Sequence, residues 1–300
     1  MSFMREPVRR FQIFCVYLQA IMDGFEEISE HYIDLDKVLA TKGIRVPRWV
    51  VRLLNRLLHV DELNAGIYNH RDKEGAAFAQ AILDDLDVSV RLEHAERLPV
   101  DGAPIVIANH PLGGPDGMAL IAAVGAHRDD IVFPVNDFLM HLPGLRSVFV
   151  PIDKVHGNRS TAAGINAAFA ADNALLYFPA GLCSRRIKGR ITDLEWKPTV
   201  VKKAVQHHRD LVPIYIDAQN RRRFYTIANL RKRLGIKFNF EMALLPGEMF
   251  AQRGKTFRMV VGQPIPWRVL EAGGPAAAVA ERLHDFVYQL ADNADAQFSV

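Results

Sequence analysis

One imidazole and one carboxylate stand close together in a Pro/Gly-rich bend, Asn109-His110-Pro111-Leu112-Gly113-Gly114-Pro115-Asp116-Gly117. Histidine accepts a proton near neutral pH, and a neighbouring carboxylate fixes its tautomer and stabilises the imidazolium that forms. The pair therefore suits removal of a proton from a hydroxyl group. A Ser-His-Asp arrangement needs a protein nucleophile, but a substrate hydroxyl can fill that role instead. Two plainer roles stay open. Asp116 can cap the helix that follows it, and His110 can bond a loop carbonyl.

The surrounding pattern says which elements position the pair. Pro104 to Ala108 is a short apolar run that ends at Asn109-His110, and Gly117 to Val124 has helical character. This reads as buried strand, tight loop, helix N-terminus. Strand ends that face a helix start are where open α/β sheets build sites.

The loop resembles the first motif of the glycerolipid acyltransferase superfamily, lysophosphatidic acid acyltransferase type: Asn-His, four residues, Asp. Here five residues separate His110 from Asp116. The longer loop is closer to a bacterial branch labelled hemolysin or lysophospholipid acyltransferase-like. Three further blocks follow in order. Phe149-Val150-Pro151-Ile152-Asp153-Lys154 matches the strand after which the superfamily places a basic residue near the acceptor's polar head, with Lys154 where arginine is usual. Lysine holds a phosphate as a point charge, without arginine's bidentate fork. Phe178-Pro179-Ala180-Gly181-Leu182-Cys183-Ser184-Arg185-Arg186 resembles the Phe-Pro-Glu-Gly-Thr-Arg-Ser motif, with Ala180 replacing glutamate and Leu182 replacing threonine. Leu211 to Ile216, with internal Pro213, matches an apolar strand lining the substrate groove. The resemblance spans residues 85–268.

The resemblance implies His110 as base and Asp116 as its partner. It implies substrate contacts from Asn109, Gly113, Gly114, Gly117, Lys154, Phe178, Pro179, Gly181, Ser184, Arg185 and Arg186. The backbone N–H groups of Gly113, Gly114 and Gly117 are expected to support an oxyanion. Ser184, Arg185 and Arg186 are expected to offer exposed donors to an anionic head group, with Lys188 and Arg190 extending the charge. His156 reads as a loop histidine, and Cys183 as a packing residue. No metal and no prosthetic group is implied; acyl-CoA or acyl-carrier protein serves as co-substrate.

Composition bounds the rest. The 300 residues can bury a sizeable core, and 49% hydrophobic with 24% charged residues is ordinary for a globular protein. A net charge of +3 gives no reason to expect nucleic acid as a partner. Cys15 and Cys183 fit no disulfide or metal pattern, so a reducing compartment is the default. A spanning helix needs about 20 mostly apolar residues. The best stretch, Phe11 to Met22, has twelve and is followed by no small-residue cleavage site. It reads as a cytoplasmic helix.

The expected fold is α/β: a mixed, largely parallel sheet covered by helices. Residues 1–87 read as a helical N-terminal region and 88–300 as the acyltransferase domain. Strands are expected at 88–93, 104–108, 131–135, 147–152, 174–178, 211–216, 238–244 and 256–262. Helices are expected at 117–125, 160–171, 195–208, 225–234 and 276–292. Within the N-terminal region, residues 47–59 carry Arg48, Arg52 and Arg56 at four-residue spacing, while Trp49, Val50, Val51, Leu53, Leu54, Leu57 and Leu58 fill the remaining arc. A wide apolar face beside a basic stripe suits either core packing with a solvated arginine face or a membrane interface. A chain that handles lipids favours the interface, on an anionic membrane surface at the cytoplasmic side.

Together these readings predict an O-acyltransferase of membrane lipid biosynthesis that acts on a lysolipid. Lysophosphatidic acid is the simplest acceptor, and a lyso-ornithine or other lyso-aminolipid is the alternative. A non-enzymatic, hemolysin-like lipid binder would need the apolar groove but not His110 beside Asp116. A serine hydrolase would need a Gly-x-Ser-x-Gly elbow, which is absent from the sequence.

Overall fold

The computed structural model describes residues 33–41, 46–136, 142–152 and 158–300. Four helices come first: α1 (Leu35–Thr41), α2 (Arg48–Leu57), α3 (Val60–Asn69) and α4 (Gly75–Asp85). Then strands and helices alternate as β1 (Ser89–Glu93), β2 (Ile105–Ala108), α5 (Pro115–Gly125), β3 (Ile131–Asn136), β4 (Phe149–Ile152), α6 (Asn158–Ala170) and β5 (Ala174–Tyr177). A hairpin, β6 (Arg185–Ile187) and β7 (Arg190–Thr192), precedes α7 (Thr199–Gln206), β8 (Leu211–Asp217) and α8 (Arg222–Arg233). The chain ends with α9 (Leu245–Phe250), β9 (Thr256–Val261), α10 (Trp267–Ala272) and α11 (Ala276–Gln289).

The main sheet has seven strands in the order β1-β9-β8-β2-β5-β3-β4. Strands β8, β2, β5, β3 and β4 run parallel, and β9 turns antiparallel to β8 while pairing parallel with β1. The expected mixed, largely parallel α/β sheet is therefore present. Strand β2 lies at its centre and is buried along its whole length. Its alternate side chains enter two different cores. Val106 and Ala108 join Phe78, Leu120 and Met259 on one face. Ile105 and Ile107 join Trp196, Val200 and Phe286 on the other. Burial on both faces explains why β2 reads as an unbroken apolar run instead of an alternating one. Helix α4 contributes Phe78, Ala79 and Leu83 to the first core, so the last N-terminal helix shares its apolar face with the sheet.

Three elements differ from expectation. Residues 238–244 form no strand; Phe240–Leu244 is a 3-10 turn leading into α9. Glu241 explains it: the side chain is fully buried and ion-paired with Arg185 and Arg231, and Pro246 then favours a helix start. Helix α7 starts at Thr199 instead of 195, because Pro198 fixes its N-terminus. The basic stretch after Ser184 is the β6–β7 hairpin. Lys188 and Gly189 form its turn with φ of 48° and 85°. Positive φ at both central residues is the signature of a tight primed turn.

Among the described residues, no helix is long and apolar enough to cross a bilayer. Cys15, Lys154, His156 and the stretch Phe11 to Met22 lie outside the described residues.

Candidate active site

Parallel pairing brings three strand ends to one edge of the sheet. His110 follows β2, Phe178 follows β5 and Asn220 follows β8, and β2 pairs with both others. This edge is where the carboxyl ends of adjacent parallel strands open a crevice.

Asp116 is fully buried in the first turn of α5. Its Oδ2 accepts from His110 Nδ1 at 2.9 Å, from the Leu112 N–H at 2.8 Å and from the Gly113 N–H at 3.3 Å. Its Oδ1 accepts from the Gly114 and Gly117 N–H groups, both at 3.0 Å. The carboxylate thus orients the imidazole and also ties the loop to the helix start. The N-cap of α5 is Gly114, which corrects the plainer reading of Asp116 as the helix cap; Asp116 sits in the first turn and reaches back to the loop. Gly113 is required in this loop: its φ is +88°, and a Cβ there would meet Leu245 Cδ1 at 2.8 Å and Cys183 at 3.2 Å. One expectation is corrected. The N–H groups of Gly113, Gly114 and Gly117 point to Asp116, so they are not free donors for an oxyanion.

The His110 ring stacks on Phe178, with centroids 4.1 Å apart and planes 18° apart. Phe178 meets Phe133 edge-on. The His110 side chain is 17% exposed, and Nε2 has no protein partner among the described residues. With Nδ1 donating to Asp116, Nε2 carries the open lone pair. Burial by itself would push the imidazole down. The charge and hydrogen bond of Asp116, joined by the charge of Asp193, outweigh it and raise the His110 pKa above its ordinary value, against Arg185. Burial likewise works against ionised Asp116, but His110 and the loop N–H groups prevail and hold the carboxyl below its usual range.

The remaining site residues fall into two groups. Pro179 is buried, and its carbonyl accepts the Lys197 N–H at 3.2 Å. Gly181 is exposed at φ +67° and closes the turn onto the Phe178 carbonyl. Arg186 is half-buried with its guanidinium over the Tyr225 ring at 5.8 Å. Asn109, Ser184 and Arg185 are structural instead. Asn109 is buried and exchanges two hydrogen bonds with the Ile216 backbone, at 3.0 and 2.7 Å, clamping β8 to the end of β2. Buried against β8 in this way, Asn109 acts as a clamp between strands, in place of the expected substrate contact. Ser184 and Arg185 are buried, which corrects their reading as exposed donors. Ser184 Oγ donates to Asp193 at 2.6 Å. Arg185 donates to the Cys183 carbonyl at 2.6 Å and pairs with Glu241 at 3.2 Å. An arginine inside a wall of apolar residues needs such a partner, and Glu241 supplies it. Cys183 is buried and its thiol is pushed up to about 11 by burial, so it stays protonated at neutral pH.

Three residues that support the candidate site escape the sequence reading. Asp193 is buried behind the His110 loop. Asn220 donates from Nδ2 to the Leu112 carbonyl at 3.2 Å. Glu241 anchors Arg185 from a distant segment. For Glu241 a signal was available: an acid inside the apolar run Phe240 to Leu245 implies a buried partner. Asn220 lies in Ala218-Gln219-Asn220-Arg221, which reads as an ordinary polar loop.

Comparison with known proteins identifies the family. Residues 37–297 match a family model described as acyltransferase. The lyso-glycine lipid O-acyltransferase of Phocaeicola vulgatus is 42% identical over 264 residues, covering 86% of this chain and 95% of that protein. The lyso-glycine lipid O-acyltransferase of Bacteroides thetaiotaomicron is also 42% identical over 264 residues, covering 86% and 97%. The crystal structure of a 1-acyl-sn-glycerophosphate (LPA) acyltransferase from Thermotoga maritima aligns over 97% of this chain and 98% of that one, at 15% identity and a TM-score of 0.41. The family match over most of the chain, with the two close relatives, makes this an acyltransferase enzyme of the glycerolipid acyltransferase superfamily.

Proposed function

We propose that the enzyme moves a fatty acyl group from an acyl thioester, acyl-CoA or acyl-carrier protein, to the hydroxyl of a lysolipid with an anionic head group. The carrying observation is His110 itself: Nδ1 is held by Asp116, Nε2 is open, and among the described residues no competent protein nucleophile stands beside it. Cys183 is buried with a raised pKa, and the Ser184 hydroxyl is bound to Asp193. The nucleophile is therefore the acceptor's hydroxyl. His110 Nε2 removes its proton as the oxygen attacks the thioester carbonyl, and the thiolate leaves with no covalent enzyme intermediate. Asp116 stabilises the imidazolium.

A lyso-aminolipid is the favoured acceptor over lysophosphatidic acid, because two relatives at 42% identity are lyso-glycine lipid O-acyltransferases. The carboxylate of such a head group suits the half-buried guanidinium of Arg186, and the family resemblance assigns Lys154 a contact of the same kind. The test is an assay of purified protein with acyl-carrier protein and acyl-CoA of one chain length. Lyso-glycine lipid, lyso-ornithine lipid and lysophosphatidic acid are offered in parallel, and products are read by mass spectrometry. Thioester-dependent acylation of an aminolipid is expected. Exclusive acylation of lysophosphatidic acid overturns the acceptor assignment, and no acylated lipid from any pair overturns the reaction.

The acceptor is amphiphilic, so the enzyme works on a membrane surface, at its cytoplasmic face. Helix α2 is suited to docking. Val51, Leu54 and Leu58 turn inward and are buried, while Arg48, Arg52 and Arg56 are exposed. Trp49 and Leu53 are 64% and 52% exposed on the same outer face. Among the described residues, Val51, Leu54 and Leu58 supply the inward packing, which leaves an aromatic and a leucine exposed among arginines on the outer face. Each basic residue near an anionic surface contributes about 1 kcal/mol, and the apolar pair enters the head-group boundary. Vesicle co-sedimentation with anionic lipid should weaken as salt rises. It should fall by about tenfold or more in the Trp49→Ser/Leu53→Ser variant. Parental binding by a folded Arg48→Glu/Arg52→Glu/Arg56→Glu variant would place docking elsewhere.

A further inference from the structure

We propose that Asp193 is a second carboxylate of the catalytic unit, a positioning residue that fixes the His110 backbone and acts on the imidazole from behind. The proposal rests on the reading of His110 as the base.

Asp193 is buried, and its carboxylate only accepts. Both oxygens lie 3.2 Å from the His110 N–H, Oδ1 also takes the Ser184 hydroxyl at 2.6 Å, and Oδ2 takes the Trp196 indole N–H at 3.0 Å. The Asp193 N–H donates in turn to the Tyr288 hydroxyl at 2.8 Å, which links the loop to α11. The His110 carbonyl is held from the same side, by the Ser184 N–H at 2.7 Å. Both polar groups of the His110 peptide are thereby fixed by the segment 184–193, while its ring is fixed by Asp116. A ring held at one nitrogen only would still swing with its backbone. Two anchors on different elements remove that freedom, which is how a base is kept within a fraction of an ångström of its target.

Position has an electrostatic counterpart. The charged groups acting on the imidazole are Asp116 at Nδ1, Asp193 beneath the backbone, and Arg185, which opposes the imidazolium; Phe178 covers one ring face. A buried charge with hydrogen-bond donors on both oxygens is little screened by solvent, so it acts through low dielectric. Asp193 lies beyond direct contact with the ring. It therefore adjusts the basicity of His110 without competing for its proton.

Substitution Asp193→Asn keeps the size and one acceptor oxygen and removes the charge. Imidazole resonances of full-length protein carrying ¹³C-labelled histidine, with His110 assigned by its loss in His110→Gln, are followed against pH. The His110 midpoint is expected to move down by about 0.5–1 unit. In parallel, the acid limb of kcat/KM moves down by the same amount, kcat falls about tenfold or more, and KM for the thioester stays within twofold. A folded Asp193→Asn protein with the parent's midpoint, acid limb and kcat overturns the proposal. A moved midpoint with an unmoved acid limb upholds the coupling and overturns His110 as the base. Should Asp193→Asn not fold, Ser184→Ala removes the hydroxyl that bridges Asp193 and the His110 carbonyl. A lowered kcat with unchanged KM then supports the proposal, and parental kcat overturns it.

Discussion

His110→Ala protein is expected to fold like the parent and to transfer acyl groups about 10³-fold more slowly. The side chain is only partly buried and touches Asp116 and the Phe178 ring, and its removal leaves the loop tied to Asp116 through four backbone N–H groups. Circular dichroism and the unfolding midpoint should change little while product formation collapses. The parent's pH profile carries a second signature. The base must be neutral to accept a proton, and the Asp116 carboxylate raises its pKa despite burial. Activity should therefore fall as pH drops through a midpoint above 6.5, the ordinary histidine value. Asp116→Asn lowers that midpoint, because the charge that favours the imidazolium is gone. An acid limb at or below the ordinary value, or a His110→Ala enzyme that keeps its rate, would remove the imidazole from the chemistry.

The other large effect concerns stability alone. Arg209 is buried, and its guanidinium donates to six backbone carbonyls: Ala103, Pro104, Ala168, Phe169, Ala171 and Asn173. These carbonyls precede β2, close the C-terminus of α6 and precede β5. The last carbonyls of a helix have no partner of their own, and here one side chain serves them. Burial pushes the guanidinium down to about 10, so it remains charged at neutral pH. Arg209→Met fills part of the space but strands the carbonyls, and we expect a loss of about 3–5 kcal/mol. Urea unfolding checks the loss. The affected strand ends are opposite to the edge that carries His110, so kcat per folded molecule should stay near the parent's. A loss under about 1 kcal/mol would mean that water satisfies these carbonyls.

What could be read from the sequence divides along physical lines. The strand-loop-helix around His110 and Asp116 is local: apolar run, Pro/Gly bend and helix start occupy adjacent residues, and short-range pattern specifies them. The central strands were legible because burial on both faces leaves only apolar residues. Asp193 was not legible. It sits in Ile191-Thr192-Asp193-Leu194-Glu195-Trp196, where an aspartate in a polar stretch looks solvated. Its burial follows from Trp196 and Tyr288 closing over it, a contact across 95 residues. The misread strand at 238–244 has the same cause. Phe238 to Leu245 has strand-like composition, but pairing of Glu241 with Arg185 and Arg231 decides the backbone, and tertiary contacts override local preference. Arg185 is the mirror case: a cation beside Arg186 and Lys188 reads as surface, until the acid that buries it arrives from 56 residues away.

The edge of the sheet has a consequence for synthesis of the chain. Among the described residues, strand β1 pairs with β9 alone, in a register that sets Ser89 opposite Thr256. On the ribosome, β1 emerges more than 160 residues before its partner. Throughout that interval its backbone donors and acceptors have no ladder to join, while Val90 and Leu92 wait to be covered. At about 5–20 residues per second the wait lasts roughly ten to thirty seconds. The nascent chain thus carries an open strand template through most of its translation, the condition under which strand edges recruit other chains. Closure of this fold is a late, non-local event, and its yield in the cell depends on what shields β1 until β9 is made.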